Sequence, residues 1–308
     1  MPSSFSNSTC STPNNDTIQS ILKNDAVRYV RKGYGLFFAI LIFLTFFYYG
    51  PIILYQIWPY YLSLCEKHPF FERYRVWPEK EWPWKSDNVK WQKCLRKTIK
   101  NLFVNQVLVS SIVGYIGVFI SQNKSKTSFE EFPDHITIIK HILIMMIMED
   151  FSFYWAHRFL HLPFVYIYIH KQHHEYNNSI SLCSEYANPI EFVLSNIFPT
   201  CLGYLLLGEN VHFATYLLWL GIRIFETIDG HCGYEFSWSP YRLLPLSGSS
   251  EFHNFHHSHN IGAFGSFFTY WDTICGTNRD YFAYKARKEG LNQKKLEKKL
   301  LELQKKKQ

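Results

Sequence analysis

The stretch WAHRFLHLPFVYIYIHKQHHEY, residues 155–176, places five histidines within eighteen residues: His157, His161, His170, His173 and His174. Three more return downstream in EFHNFHHSH, as His253, His256 and His257. His157 and His161 are four apart and share one face of a helix. His170, His173 and His174 are spaced i, i+3, i+4, and the downstream triplet repeats that spacing, so each predicts one helical face. A lone histidine reads as a core or surface residue. Three clusters, two with the same internal spacing, predict imidazoles that converge on a common volume. Imidazole suits zinc, copper, iron and nickel. Two octahedral ions need twelve positions, and eight or nine histidines leave a few open for water or O2. A closed pair of structural zinc sites would use all eight, four each, so the count alone leaves zinc open.

His231, in TIDGHCGY, is a ninth candidate ligand, weighed against a supporting role. His259 lies two residues past the last triplet, and the pattern does not require it. His68, His135, His141 and His212 are isolated and read as structural. Glu149 and Asp150, upstream of His157, are candidates to orient an imidazole, or else polar residues near a helix end.

Around these clusters the composition is that of a membrane scaffold. Aromatic residues make up 19% of the 308, with 27 Phe and 21 Tyr, which suits a lipid-facing chain with aromatic belts. The mean hydropathy of -0.14 requires large parts to lie outside the bilayer. The net charge of +7 sits in basic segments between apolar runs, as in loops facing anionic lipid, and no nucleic acid groove is indicated. Seven scattered cysteines with no Cys-x-x-Cys argue against a disulfide framework and for a reducing compartment. Phosphate-loop, GxGxxG and Ser-His-Asp signatures are missing. Asn7, Asn15 and Asn123 open glycosylation triplets that matter only if they face a lumen.

The chain divides into four segments. Residues 1–33 are a disordered tail rich in Ser, Thr and Asn, ending in a basic flank, without the features of a cleavable signal. Residues 34–134 hold N-terminal membrane spans, 35–58 and 102–120, around a basic cytosolic loop, 59–101. Gly50-Pro51 predicts a kink or break in the first span. Residues 135–284 carry the histidines. There 136–155 is apolar but bears Lys140, Glu149 and Asp150, so it is expected to pack inside the bundle. The runs 190–207 and 211–228, joined at Gly208-Glu209-Asn210, read as an in-and-out hairpin. That hairpin returns His231 and the last triplet to the side of the first histidines. Residues 285–308 form a basic amphipathic tail, with Leu296, Leu300 and Leu303 at helical spacing.

The expected fold is an all-α integral membrane protein. About four to five transmembrane or re-entrant helices support a cytosolic helical cap that holds a histidine-rich di-metal site. The segments 59–101, 156–189 and 229–308 carry 24 of the 32 Lys and Arg and fall on one side if 35–58 crosses once, which makes that side cytosolic. The basic N-terminal flank then lies opposite, unless 35–58 is re-entrant. The final Lys305-Lys306-Lys307-Gln308 is similar to an endoplasmic reticulum retrieval signal, or is a solvated lysine tail.

The boxes HRFLH, HKQHH and HNFHH resemble those of the fatty acid hydroxylase superfamily. The segments EDFSFYWAHR, YIHKQHHEY, SEYANPIE, RIFETIDGHCGY and TYWDTICGT are similar to those of C-4 methylsterol monooxygenases, over about residues 135 to 280. The resemblance implies that 135–284 is a fatty acid hydroxylase-type catalytic domain of a non-haem di-iron oxygenase in the endoplasmic reticulum membrane. It implies iron ligands at His157, His161, His170, His173, His174, His253, His256 and His257, with His231 as a ninth. It implies two iron ions, O2 as oxidant, and electrons from NAD(P)H through cytochrome b5 or its reductase. The substrate would be a sterol whose C-4 methyl is oxidised stepwise to a carboxylate.

Two positions depart from the pattern: Asn188 stands where the family has His, and Glu251-Phe252 where some relatives carry Arg-His. They leave open another target, such as the sterol side chain at C-24 or a fatty acyl chain. Independently of the resemblance, breaking an unactivated C–H bond needs a redox-active metal, which zinc is not, and no nucleotide-binding fold is encoded to supply electrons. The competing class is a histidine-rich membrane metal transporter. Transporters set their ligands near the bilayer midplane, whereas these clusters fall at span ends.

Overall fold

The computed structural model describes residues 69–120 and 126–305, together with Gly35. The N-terminal tail, the span expected at 35–58 beyond its first residue, the three Asn triplets, His68 and residues 306–308 lie outside the described residues. Helices and isolated bridge pairs make up the described structure.

Helix α1 (Asn88–Leu102) starts where the Asp87 carboxylate accepts the Lys90 N–H at 2.9 Å, filling one of the unpaired donors of the first turn. It runs through a π-helical stretch, Phe103–Val109, into α2 (Ser110–Ile120). The basic segment expected as a loop therefore ends in a helix. Its lysines are good helix formers, and their charge hid the periodicity. Helix α3 (His135–Leu160) is capped by Asp134, which accepts from Ile136 N and Thr137 N. The turn Pro189–Glu191, a second π stretch Phe192–Ile197, and α4 (Phe198–Leu207) form one continuous run. Then come α5 (Phe213–His231), α6 (Ser250–His259), α7 (Tyr270–Cys275) and α8 (Arg279–Lys305).

Among the described residues two runs, Asn88–Gly117 and Pro189–Asn210, are long and apolar enough to cross a bilayer. Helices α3 and α5 are long too, but they carry ions between them. Arg223 of α5 is buried against Glu149 of α3, with Nε to Oε1 at 2.5 Å, and against Glu226 at 2.9 Å. Ser266 donates to Glu149 at 3.2 Å. Asp150 accepts the Phe268 N–H at 2.9 Å. Glu149 and Asp150 thus fix helix-to-helix and helix-to-loop packing, and neither orients an imidazole. The expectation that α3 packs inside holds for one face, which buries Met145, Met146, Tyr154 and His157. Along the other, Ile136, Ile139, Leu143, Ile147, Phe151 and Trp155 form an exposed stripe at three- and four-residue steps.

The hairpin is visible from its two ends. Glu191, near the start of the run before α4, touches His170, and His231, at the end of α5, touches His173. The turn between uses Gly208 at φ +57°. Within the hairpin the Trp219 indole of α5 donates to Thr200 O of α4 at 2.9 Å. Helix α4 packs hard on α3. A Cβ added at Gly203 would lie 2.5 Å from the Met145 Cα.

At the other end, α8 runs straight through the boundary expected at 284/285. Its first turns belong to the core: Tyr281 is buried against Phe252 and Phe255 of α6, and Lys285 and Lys288 pair with Glu251 at 3.4 and 3.2 Å. The side chains of Leu296, Leu300 and Leu303 lie outside the described residues.

Replacing Gly203→Ala is expected to lower stability by about 1–3 kcal/mol, because the new methyl meets backbone rather than a flexible side chain. Thermal unfolding of the purified protein in detergent measures it.

Candidate metal centre

The nine histidines of the three boxes and of TIDGHCGY come together in two groups. His157, His161, His170, His174 and His256 form one; His173, His231, His253 and His257 form the other. Within each group the ring nitrogens lie within 4.8 Å of one another. The partition cuts across the sequence boxes. His170 and His174 go to one group and His173 to the other, while His253 and His257 go to the second and His256 to the first. The middle box is a 3-10 helix, His170–Glu175, rather than the α-helical face expected from its spacing. The third box is α-helical, opened by the Ser249 hydroxyl, which accepts the Phe252 N–H at 2.9 Å.

Hydrogen bonds at the rear of the rings set which nitrogen faces inward. His157 Nδ1 donates to Phe264 O at 2.9 Å, His173 Nδ1 to Tyr186 O at 3.1 Å, His231 Nδ1 to Thr227 O at 2.7 Å and His256 Nδ1 to Gly262 O at 2.6 Å. A carbonyl can only accept, so each of these rings carries its proton on Nδ1 and a bare lone pair on Nε2. Those bare nitrogens face other ring nitrogens, and in His173 and His231 two bare ones face each other. His231 Nε2 is 3.4 Å from His173 Nε2, and His161 and His256 meet through Nε2 at 3.1 Å. His253 Nε2 lies 2.8 Å from His231 Nε2 and 3.1 Å from His257 Nε2. Two acceptors facing each other, as in His173 and His231, cannot hydrogen-bond; they repel unless a cation lies between them. On an ion with bonds of about 2.1 Å, ligands at right angles are about 3 Å apart, so the spacing fits shared coordination.

Burial keeps the rings neutral, as ligands must be. Desolvation pushes the His173 imidazole down to about 4, and that of His161 down to about 2, with the neighbouring His157 adding to the latter. His253, His256 and His257 are displaced downward for the same reason.

The carboxylate that does orient an imidazole is Glu191: its Oε1 accepts from His170 Nδ1 at 2.8 Å, and both side chains are buried. A carboxylate behind a metal-ligating histidine fixes the ring and raises its basicity. Sequence spacing gave no sign of it, since Glu191 lies 21 positions beyond His170. Asn188 caps the turn that carries Glu191, its side chain accepting the Ile190 N–H at 2.9 Å. The Asn188 departure thus falls on the support of His170.

A second support is the loop 261–268. It gives its Gly262 and Phe264 carbonyls to His256 and His157, two members of the five-histidine group. Buried Asp272 holds this loop through Phe264 N at 2.9 Å and Gly265 N at 2.7 Å. Gly262, at φ +53°, admits no side chain, since a Cβ would sit 2.0 Å from Thr277 O. His259 is exposed and stacks on Phe255, outside both groups. His212 caps α5, and His135 and His141 lie in the first turns of α3, outside both groups.

The fatty acid hydroxylase profile matches residues 142–277, the span that holds every one of these nine histidines. A Dictyostelium discoideum protein named, provisionally, a methylsterol monooxygenase is 34% identical over 252 residues, covering 82% of this chain and 85% of its own length. Methylsterol monooxygenase 2-2 of Arabidopsis thaliana is 41% identical over 160 residues, 51% of this chain and 59% of that protein. A very-long-chain aldehyde decarbonylase of Oryza sativa subsp. indica gives the same identity over the same shares. No solved structure matches the chain.

Glu191→Gln is expected to weaken metal binding about 10- to 100-fold, read as metal retained after dialysis against a graded chelator. Acid should act on the metal-free protein as well. An imidazole whose pKa falls on folding leaves the folded state holding fewer protons than the unfolded chain, which titrates at about 6.5. Stability contributed by His173 is therefore full above pH 6.5 and declines as pH drops toward about 4. Denaturant midpoints at pH 7.5 and 5 check the sign.

Proposed function

The chain belongs to the fatty acid hydroxylase family, and from that premise we propose that it is a membrane-bound non-haem di-iron sterol methyl oxidase. In this reading it is an O2-dependent oxidoreductase that oxidises the C-4 methyl of a sterol during sterol biosynthesis. The observation that carries the reading is the convergence of nine imidazoles in two groups, in which the bare Nε2 atoms of His173 and His231 face each other at 3.4 Å. The Dictyostelium relative, matched over most of its length, supports the sterol. The decarbonylase match keeps a fatty-chain substrate as the second reading, over a smaller share of that relative. A family of oxygenases displaces the metal transporter.

The five-histidine group would hold one iron and the four-histidine group the other, through Nε2 in each ring whose Nδ1 is tied to a carbonyl or to Glu191. When bound, the iron pair would supply the oxidising power that an unactivated C–H bond demands. The chain's own part is positional. Glu191 and four backbone carbonyls lock five of the rings before anything binds, so little reorganisation is left for the reaction. Burial of the histidine boxes among α3, α5 and α6 keeps bulk water from the inner nitrogens. Each conversion of a methyl to an alcohol takes one O2, two electrons and two protons and releases one water. The electrons would come from NAD(P)H through cytochrome b5 or its reductase, docked on the basic cytosolic side.

The membrane setting rests on three features: the two membrane-length runs, the exposed apolar stripe of α3, and the crowding of Lys and Arg outside the apolar segments. In this reading the protein is a multi-pass protein of the endoplasmic reticulum membrane with its site toward the cytosol.

Cells lacking the protein should accumulate a 4-methyl sterol; an unchanged sterol profile would refute the substrate. His173→Ala and His256→Ala, one from each group, should bring turnover to background while the chain still inserts in membranes. Purified wild type should carry close to two irons.

A further inference from the structure

Beside the histidines lies a cavity, and the segment 238–249 forms part of its wall. Tyr241, Arg242, Gly248 and Ser249 line it, and His231 and His253 open onto it. The same segment turns an apolar side outward: Trp238, Leu243 and Leu246 are 51, 84 and 64% exposed. Pro240 and Pro245 are exposed between them. Its charge is turned the other way, since the Arg242 guanidinium is held by Asp229 at 2.8 Å and by Glu235 at 2.5 Å. Leu246 sits at φ +57°, a conformation that a bulky side chain rarely adopts. Thr269 holds it there, its N–H donating to Leu246 O at 2.8 Å and its hydroxyl donating to the same oxygen at 3.1 Å. A strained backbone that keeps a leucine facing outward implies an apolar setting for that side chain.

The height of this segment in the bundle says what that setting is. The Tyr241 hydroxyl donates to Ile222 O at 2.7 Å. Ile222 lies nine residues before His231 in α5, about 13 Å along the axis toward the hairpin turn. Phe268, which bridges to Ser247, is tied to Asp150, seven residues before His157 in α3 and about 10 Å along it. The two helices begin at one end of the bundle, where Phe213 N donates to Lys126 O at 2.9 Å just ahead of α3, so both displacements run the same way. Both anchors therefore lie on the membrane side of the histidines. The exposed patch also continues into the apolar stripe of α3: just beyond Thr269, Trp271 packs against Phe151 and Trp155. The backbone is answered as lipid requires. Leu244 N–H donates to Tyr241 O, Ser247 N–H to Leu244 O and Gly248 N–H to Phe267 O, and the two prolines bring no N–H. We propose that Trp238, Leu243 and Leu246 are seated in the leaflet nearer the histidines, with the indole at headgroup level, so that a lipid dissolved in the membrane reaches the cavity past this segment without crossing water. The assignment rests on the membrane setting and the lipid substrate proposed above.

The test places the full-length protein in phosphatidylcholine vesicles doped with a phosphatidylcholine that bears a diazirine in its upper acyl chain. Photolysis should leave adducts, mapped by mass spectrometry, on residues 238–246 as well as on Phe151 and Trp155. Adducts on the α3 stripe with none on 238–246 overturn the lipid seat and keep the membrane setting; adducts on neither overturn both. An oligomer that dissociates on Leu243→Ser would give the patch to a second copy and overturn the seat as well. Asn is at ease at positive φ, so Leu246→Asn combined with Leu243→Ser should fold and take up iron as wild type does. That double variant should lose most of the labelling at 238–246. Its kcat/KM on a 4-methyl sterol carried in vesicles should fall severalfold further than in mixed micelles. Equal falls in the two media, or no fall, overturn the route. If wild type oxidises no sterol in either medium, the substrate reading fails, and the lipid adducts alone decide whether the segment is seated in the membrane.

Discussion

Lone pairs that point at one another set the terms for everything else in this protein. The bare Nε2 atoms of His173 and His231, 3.4 Å apart, repel, and nothing in the rings themselves would hold them so. The chain holds them from behind, by hydrogen bonds between Nδ1 and groups that cannot give a proton back. Four of those acceptors are backbone carbonyls, which a side-chain substitution does not remove. The fifth is Glu191, where the support is a side chain and can be varied. Fixing carbonyls in space requires fixing loops, and that explains the buried Asp272 beneath 261–268 and the ion pair that ties Arg223 to Glu149. Removing one partner of such a pair leaves a buried charge, so the network is costly to break even where it contributes little net stability.

The two π-helical stretches belong to the same constraint. Phe103–Val109 interrupts the first membrane-length run where Asn105 donates to Ala187 O at 2.8 Å. Phe192–Ile197 comes directly after Glu191. Both therefore adjoin the short segment that brings Glu191 to His170. A π turn widens the helix and shifts the register of the residues beyond it, and such turns are frequent at functional sites.

The histidine boxes were plain in the sequence because their spacing repeats, and the hairpin was plain because two apolar runs meet at a polar joint. Both readings depend on local periodicity. What escaped depends on distance in the chain. The division into five and four could not be read, because the middle box is a 3-10 turn and because each triplet feeds both groups. Glu191 was hidden by its separation from His170. Glu149 and Asp150, close to His157 in sequence, read equally as its supports or as polar residues near a helix end, and the helix turns them toward Arg223 and the 268 backbone. The helix at Asn88 was masked by its lysines, and the C-terminal boundary by the basic charge that begins inside α8.

The crossing of the boxes between the two groups bears on how the protein matures. Neither metal pocket is made by one contiguous segment: each draws on residues before the hairpin and after it. A nascent chain that has emerged only as far as His174 owns fragments of both pockets and a complete version of neither. If the two groups hold metal as proposed, loading waits until the last triplet has been synthesised and seated. Occupancy of the two groups would then report that the chain has been made and folded as far as His257.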